Sequence, residues 1–127
     1  MLSHSTLTDS LKLCLRQNRI KAIAPLSCFA NLMELDLYDN GISKIENLEM
    51  CHQLLALDLS YNRIATIENL ELLQMLQNLY LVSNQISTIA GLNKLLNLHI
   101  LELAVNNIKV RHLVTRLTNS RLKILRS

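Results

Sequence analysis

Aromatic residues are nearly missing from this sequence of 127 residues, which has one Phe, three Tyr and no Trp. A globule with one centre draws on large rings to fill it. An interior of aliphatic side chains alone suits a stack of similar layers instead. Glycine occurs twice and proline once, too seldom for a chain of many tight turns. The three cysteines are odd in number and unevenly spaced, so they give no disulfide framework, and no Cys-x-x-Cys pair offers a metal site. No uninterrupted apolar run approaches the ~20 residues of a membrane helix. Met1 to Asp9 has neither a basic start nor a long apolar run, so no secretory signal is expected. The formal charge of +3 makes no strong case for nucleic acid or a membrane surface. Together these gaps predict a single domain in a reducing, intracellular compartment.

What is present in quantity is leucine at a fixed beat. The stretch Leu32-Met33-Glu34-Leu35-Asp36-Leu37-Tyr38-Asp39-Asn40-Gly41-Ile42 reads Leu-x-x-Leu-x-Leu-x-x-Asn-x-Ile, and it returns every 22 residues. Position 9 is Asn in all five units (Asn18, Asn40, Asn62, Asn84, Asn106), and position 11 is Ile in all five (Ile20, Ile42, Ile64, Ile86, Ile108). This is the pattern of the leucine-rich repeat, whose period lies between about 20 and 29 residues. We therefore expect one α/β domain over 1–127, a right-handed leucine-rich-repeat solenoid. It has a parallel concave sheet and a 3₁₀ or irregular convex side. The repeats run 10–31, 32–53, 54–75, 76–97 and 98–119. Residues 1–9 are expected as a partial N-terminal cap, and 120–127 as an incomplete repeat or tail.

Positions 4 and 6 are Leu in every unit, from Leu13 and Leu15 to Leu101 and Leu103. A spacing of two turns both inward from a strand. Asn at position 9 ends the strand and satisfies backbone groups of the turn, a structural role. Positions 11, 14 and 17 carry the apolar return path, and position 20 closes the layer with Phe29, Cys51, Leu73 and Leu95. A spacing of three there suits 3₁₀-like or irregular backbone better than a long α-helix. Cys28 and Cys51 are expected as filler, not as reactive thiols. The fifth unit departs from the pattern at Arg111, with Leu113, Val114 and Leu117 in a shifted register. Leu122, Ile124 and Leu125 suggest a sixth strand. Beyond Glu102 the only charged residues are Lys109, Arg111, Arg116, Arg121, Lys123 and Arg126, a solvated end or a basic docking segment. Leu-rich open ends also invite self-association.

Residues that alternate with the inward leucines face out of the concave sheet. Position 3 gives Lys12, Glu34, Ala56, Asn78 and Ile100, and position 7 gives Arg16, Tyr38, Ser60, Val82 and Ala104. Position 5 gives Cys14, Asp36, Asp58, Tyr80 and Glu102. Neighbouring strands lie about 4.8 Å apart, so Asp36, Asp58, Tyr80 and Glu102 form an acidic row with an aromatic in it. Like charges so close repel, a cost that folding alone gives no reason to accept. The candidate protein-binding residues are Glu34, Asp36, Tyr38, Asp58, Tyr80 and Glu102.

Chemistry of other kinds finds no foothold. His4, His52, His99 and His112 are dispersed, no nucleophile motif or phosphate loop is present, and no His/Asp/Glu group has metal spacing. Asp36 and Asp58 on an open, wet face lack a pocket to tune them. We expect no enzyme, no cofactor and no metal.

Leu35-Asp36-Leu37-Tyr38-Asp39-Asn40 with Ile45-Glu46-Asn47-Leu48-Glu49 resembles the leucine-rich-repeat regulatory subunits of protein phosphatase 1. Leu57-Asp58-Leu59-Ser60-Tyr61-Asn62, Leu79-Tyr80-Leu81-Val82-Ser83-Asn84 and Leu101-Glu102-Leu103 continue the likeness, which covers roughly Leu11 to Ile108. The resemblance implies a concave face that docks the phosphatase catalytic subunit through Asp36, Asp58, Tyr80 and Glu102, in the nucleus and cytoplasm. Members of that family have about twice as many repeats. Five strands about 4.8 Å apart, with three exposed positions each, offer a few hundred Å², below the ~800 Å² per partner of a standard interface. Either loops contribute, binding is weak, or the chain is a short divergent member or a fragment of such a protein. Other short repeat proteins of this kind suggest axonemal or cytoskeletal adaptors, or a ribonucleoprotein role for the basic end, with nucleic acid the lesser expectation.

Overall fold

In the computed structural model, which describes residues 11–109 and 123–125, the strands are short and all parallel. They are β1 (Leu11–Cys14), β2 (Leu32–Asp36), β3 (Ala56–Asp58), β4 (Asn78–Tyr80), β5 (Ile100–Glu102) and β6 (Lys123–Leu125). They lie in one sheet in sequence order. Each unit adds one strand beside the last, as a chain must when a single repeat cannot bury its own apolar face. The register follows the period. Leu13, Leu35, Leu57, Leu79, Leu101 and Ile124 stand opposite one another across the sheet. The only irregularity in these ladders falls between Leu11 and Lys12, where Leu11 pairs with Leu32 but Lys12 with Glu34.

Each inner layer is closed by seven apolar side chains. In the third unit these are Leu54, Leu57, Leu59, Ile64, Ile67, Leu70 and Leu73, all buried. Full burial of one such side chain contributes about 1.5–3 kcal/mol. The first layer differs because nothing described covers its outer side. Leu13, Leu15, Ile20, Leu26 and Phe29 are only half-buried, and Ile23 alone joins the buried set. Cys51 is buried and fills its layer as expected, whereas Cys28 is exposed and fills nothing. Burial and the neighbouring Glu49 both push the Cys51 thiol above its ordinary pKa, burial the more strongly.

The spacing of three on the convex side has a backbone cause. Leu54 N–H donates to the carbonyl of Cys51, and Cys51 N–H to that of Leu48. The same back-to-back turns join Leu76, Leu73 and Leu70, then Leu98, Leu95 and Leu92. Residues three apart then point the same way, so one short arc both reverses the chain and buries three side chains. Among the described residues no helix forms; of the two forms expected for this side, the irregular one is realised.

Asparagine at position 9 binds the layers to one another. Asn62 donates from Nδ2 to the carbonyls of Leu59 (3.0 Å) in its own unit and Leu37 (3.0 Å) in the one before. Its Oδ1 accepts the N–H of Ile42 at 3.0 Å. Asn40, Asn84 and Asn106 repeat the pattern. Just before each asparagine the chain enters the left-handed region: Gln17, Asp39, Tyr61, Ser83 and Val105 have φ between 54° and 59°. A second column does so on the return path, at Asn47 (φ 61°), Asn69 (φ 59°) and Gly91 (φ 73°). Asn and Gly are the residues that tolerate this best. At Gly91 a Cβ would lie 2.5 Å from the Ile67 carbonyl oxygen, so only glycine fits there without a shift.

Candidate functional site

The frame carries position 5 as one row, with Cys14, Asp36, Asp58, Tyr80, Glu102 and Leu125 opposite one another on successive strands. Position 3 makes a parallel row of Lys12, Glu34, Ala56, Asn78, Ile100 and Lys123. Of the six candidate residues, Glu34 is exposed and the other five are half-buried. All six lie on or next to this sheet, and Asp36, Asp58, Tyr80 and Glu102 are consecutive within one row.

The acidic row does have a folding reason, contrary to the expectation from like-charge repulsion. Asp36 Oδ1 accepts the N–H of Tyr38 at 3.0 Å, and Asp58 Oδ1 accepts the N–H of Ser60 at 2.9 Å. Both are side chain-to-backbone bonds two residues along. They satisfy a strand-end N–H where the ladder is opening. In the fourth unit Tyr80 cannot do this, and Ser60 Oγ accepts the N–H of Val82 instead, at 3.1 Å. That role buries Ser60 at 4 % exposure, although the alternation predicts it outward. Short acceptors at positions 5 and 7 were the signal in the sequence.

Charge is distributed unevenly along the row. At its start, Arg16 Nε lies 2.9 Å from Asp36 Oδ2, and Lys12 Nζ lies 3.4 Å from Glu34 Oε1. The Arg16 guanidinium also sits 4.6 Å from the centre of the Tyr38 ring. That ring packs against Tyr61 at 5.0 Å, tilted by 49°. Further along, Asp58 and Glu102 form no ion pair among the described residues. Burial raises the Tyr80 phenol above its ordinary pKa, and the negative charges of Glu102, Asp58 and Glu34 add to the shift. A phenol surrounded by carboxylates stays neutral and donates a hydrogen bond.

Beside the sheet, Arg19, Lys21 and Arg63 line an open groove with Asp39, Asn40, Gly41 and Ser43. Position 10 or 12 holds these cations in the first and third units, whereas the second has Gly41 and Ser43 and leaves room between them. No candidate metal cluster occurs among the described residues. Nor does a helix long and apolar enough to cross a membrane.

No protein-family model matches the sequence, and no curated protein matches it. Among solved structures the chain is similar to internalin C2 of Listeria monocytogenes, at 29 % identity and a TM-score of 0.78, over 93 % of this chain and 51 % of that one. A leucine-rich-repeat protein of Leptospira interrogans is 27 % identical with a TM-score of 0.76, over 94 % of this chain and 32 % of its own. The leucine-rich-repeat ectodomain of the receptor kinase SOBIR1 from Arabidopsis thaliana is 26 % identical with a TM-score of 0.67, over 90 % and 67 %. The chain spans about half the length of internalin C2 and about a third of the Leptospira protein. These likenesses and the sheet together show a leucine-rich-repeat solenoid.

Proposed function

We propose that this leucine-rich-repeat solenoid is a non-enzymatic protein-binding module whose concave sheet docks the catalytic subunit of protein phosphatase 1, in the nucleus and cytoplasm. The observation that carries the docking reading is the in-register row of Asp36, Asp58, Tyr80 and Glu102 on an open sheet. Two of its anionic groups lack any internal cation among the described residues. An interface core of desolvated anions around an aromatic favours a basic, hydrogen-bonding surface. The choice of phosphatase rests on the resemblance at positions 4 to 9 of three successive units. The leucine-rich-repeat neighbours support a protein partner in general terms.

Calorimetric titration with the phosphatase catalytic subunit tests the reading, with Asp58→Lys and Glu102→Lys as the perturbations. Micromolar or weaker binding that both reversals remove supports it. Binding indifferent to both rejects this face. Co-purification dominated by tubulin or dynein would favour a cytoskeletal adaptor instead. Affinity for RNA that falls steeply with salt would favour the ribonucleoprotein reading.

A further inference from the structure

The molecule already holds one arginine on this face by its own side chains. Arg16 gives Asp36 an ion pair at 2.9 Å and lays its guanidinium 4.6 Å from the centre of the Tyr38 ring. A carboxylate and a phenol ring thus make a seat that suits a flat, delocalised cation, which pairs at its edge and stacks on its face.

The same groups recur further along the sheet without a guest. Tyr80 stands between Asp58 on one neighbouring strand and Glu102 on the other. Asp58 uses one oxygen for the Ser60 N–H, and its second has no partner among the described residues. Glu102 forms no ion pair, and the Tyr80 ring has no aromatic or cationic neighbour, among the described residues. The arrangement is not a copy of the first, because the ring has moved from position 7 into the acidic row itself. That move puts a carboxylate on both sides of it. Position 7 then holds Ser60, Val82 and Ala104 on these strands, and position 3 holds Ala56, Asn78 and Ile100. None of them is charged or aromatic, so none supplies the ring or the carboxylates with an internal cation.

We infer that the protein partner inserts one arginine side chain at Asp58, Tyr80 and Glu102, its guanidinium against the Tyr80 ring and its N–H groups donating to the two carboxylates. This deepens the docking reading of the sheet and rests on it. Lysine is the poorer guest, since a compact ammonium neither stacks on the ring nor bridges two carboxylates in one plane. The basic groove at Arg19, Lys21 and Arg63 lies at the strand ends and repels the same guest.

The test is nuclear magnetic resonance of the isotope-labelled chain titrated with acetyl-Gly-Arg-Gly-amide, beside the lysine and citrulline counterparts. Citrulline keeps the shape of arginine without its charge. The arginine peptide should move the Asp58, Tyr80 and Glu102 resonances at millimolar concentration. The citrulline peptide and the Glu102→Gln variant should each bind at least about tenfold more weakly. Tyr80→Phe keeps the ring and should keep binding, whereas Tyr80→Leu should lose it. Arg16→Gln vacates the internal seat and should add a second set of shifts at Asp36 and Tyr38. Equal response to arginine and citrulline, or arginine shifts centred elsewhere, overturns the inference. If Glu102→Lys abolishes phosphatase binding while the arginine peptide leaves Tyr80 unmoved, the docking reading stands and the arginine seat falls. If the peptide binds at Tyr80 and the phosphatase does not bind at all, the seat stands and the choice of phosphatase falls.

Discussion

The two ends of the sheet carry similar groups and treat them differently. On β1 and β2, Asp36 and Glu34 are answered from within by Arg16 and Lys12, and Tyr38 is covered by a guanidinium and a second ring. On β3 to β5, Asp58 and Glu102 flank Tyr80 with no cation supplied among the described residues. Both regions hang on the same Asn ladder and repeat register, and the looser packing of the first layer does not determine which charges it carries, so the frame alone does not account for the contrast. A closed end contributes to its own stability. An open end leaves its carboxylates without an internal cation among the described residues. This is why our proposal places recognition on the later strands, although the acidic row begins at Asp36.

The comparison presupposes one rigid frame under both regions. Cutting that frame at its middle gives the largest effect: Asn62→Ala strands the Ile42 N–H, leaves the Leu37 and Leu59 carbonyls only their second donors, Asn40 and Asn84, and should cost about 2 kcal/mol. Urea denaturation should show a single transition at lower concentration. Two separate transitions would mean that the regions fold independently, and the comparison would lose its basis.

A smaller effect separates the two jobs of Asp58. Asp58→Ala removes the acceptor for the Ser60 N–H and should cost about 1 kcal/mol. Asp58→Asn keeps an oxygen in place and should stay within about 0.5 kcal/mol of the native protein, while still losing negative charge. Thermal melts of the two variants check the difference.

Arg16→Gln should cost about 0.5 kcal/mol, because the pair is partly exposed and screened by solvent. The loss should shrink further in 1 M salt, where the screening length is about 3 Å. Glu102→Gln, by contrast, has no ion pair to lose among the described residues.

The smallest effect is in titration. The Tyr80 phenol ionises above its usual value of 10.0 because burial and then Glu102, Asp58 and Glu34 disfavour the anion. A folded-state pKa raised in this way contributes stability that is complete below the unfolded value and is lost as pH climbs through the folded one. Absorbance titration of Glu102→Gln should move the Tyr80 midpoint part of the way back toward 10.0, since burial, the larger cause, remains.

The fold was legible in the sequence to the extent that one physical demand recurred at one spacing. Leu35, Leu57, Leu79 and Leu101 must all face inward, so the same residue returns and the strand register can be read before any coordinates. The row of Asp36, Asp58, Tyr80 and Glu102 followed from that register alone. The bend at position 8 was invisible, because five different residues, Val105 among them, accept φ near 57° and leave no column to see. Its counterpart on the return path did leave a trace, Asn47, Asn69 and Gly91, all residues that tolerate a left-handed backbone. The contrast between the two ends was hidden for another reason. Arg16 reaches across to the next strand and past two residues, a matter of side-chain geometry that alternation does not encode. The local role of Asp36 and Asp58 left a trace in the short acceptors at positions 5 and 7, but alternation alone does not show that their bonds to backbone N–H groups make a charged column useful to folding itself.

Calorimetric titration of the phosphatase catalytic subunit into Asp36→Asn and Glu102→Lys side by side tests the central claim most directly. The account predicts that Glu102→Lys abolishes the binding heat and that Asp36→Asn leaves the affinity within about threefold, a change under 1 kcal/mol. Equal losses from both, or a greater loss from Asp36→Asn, would contradict it.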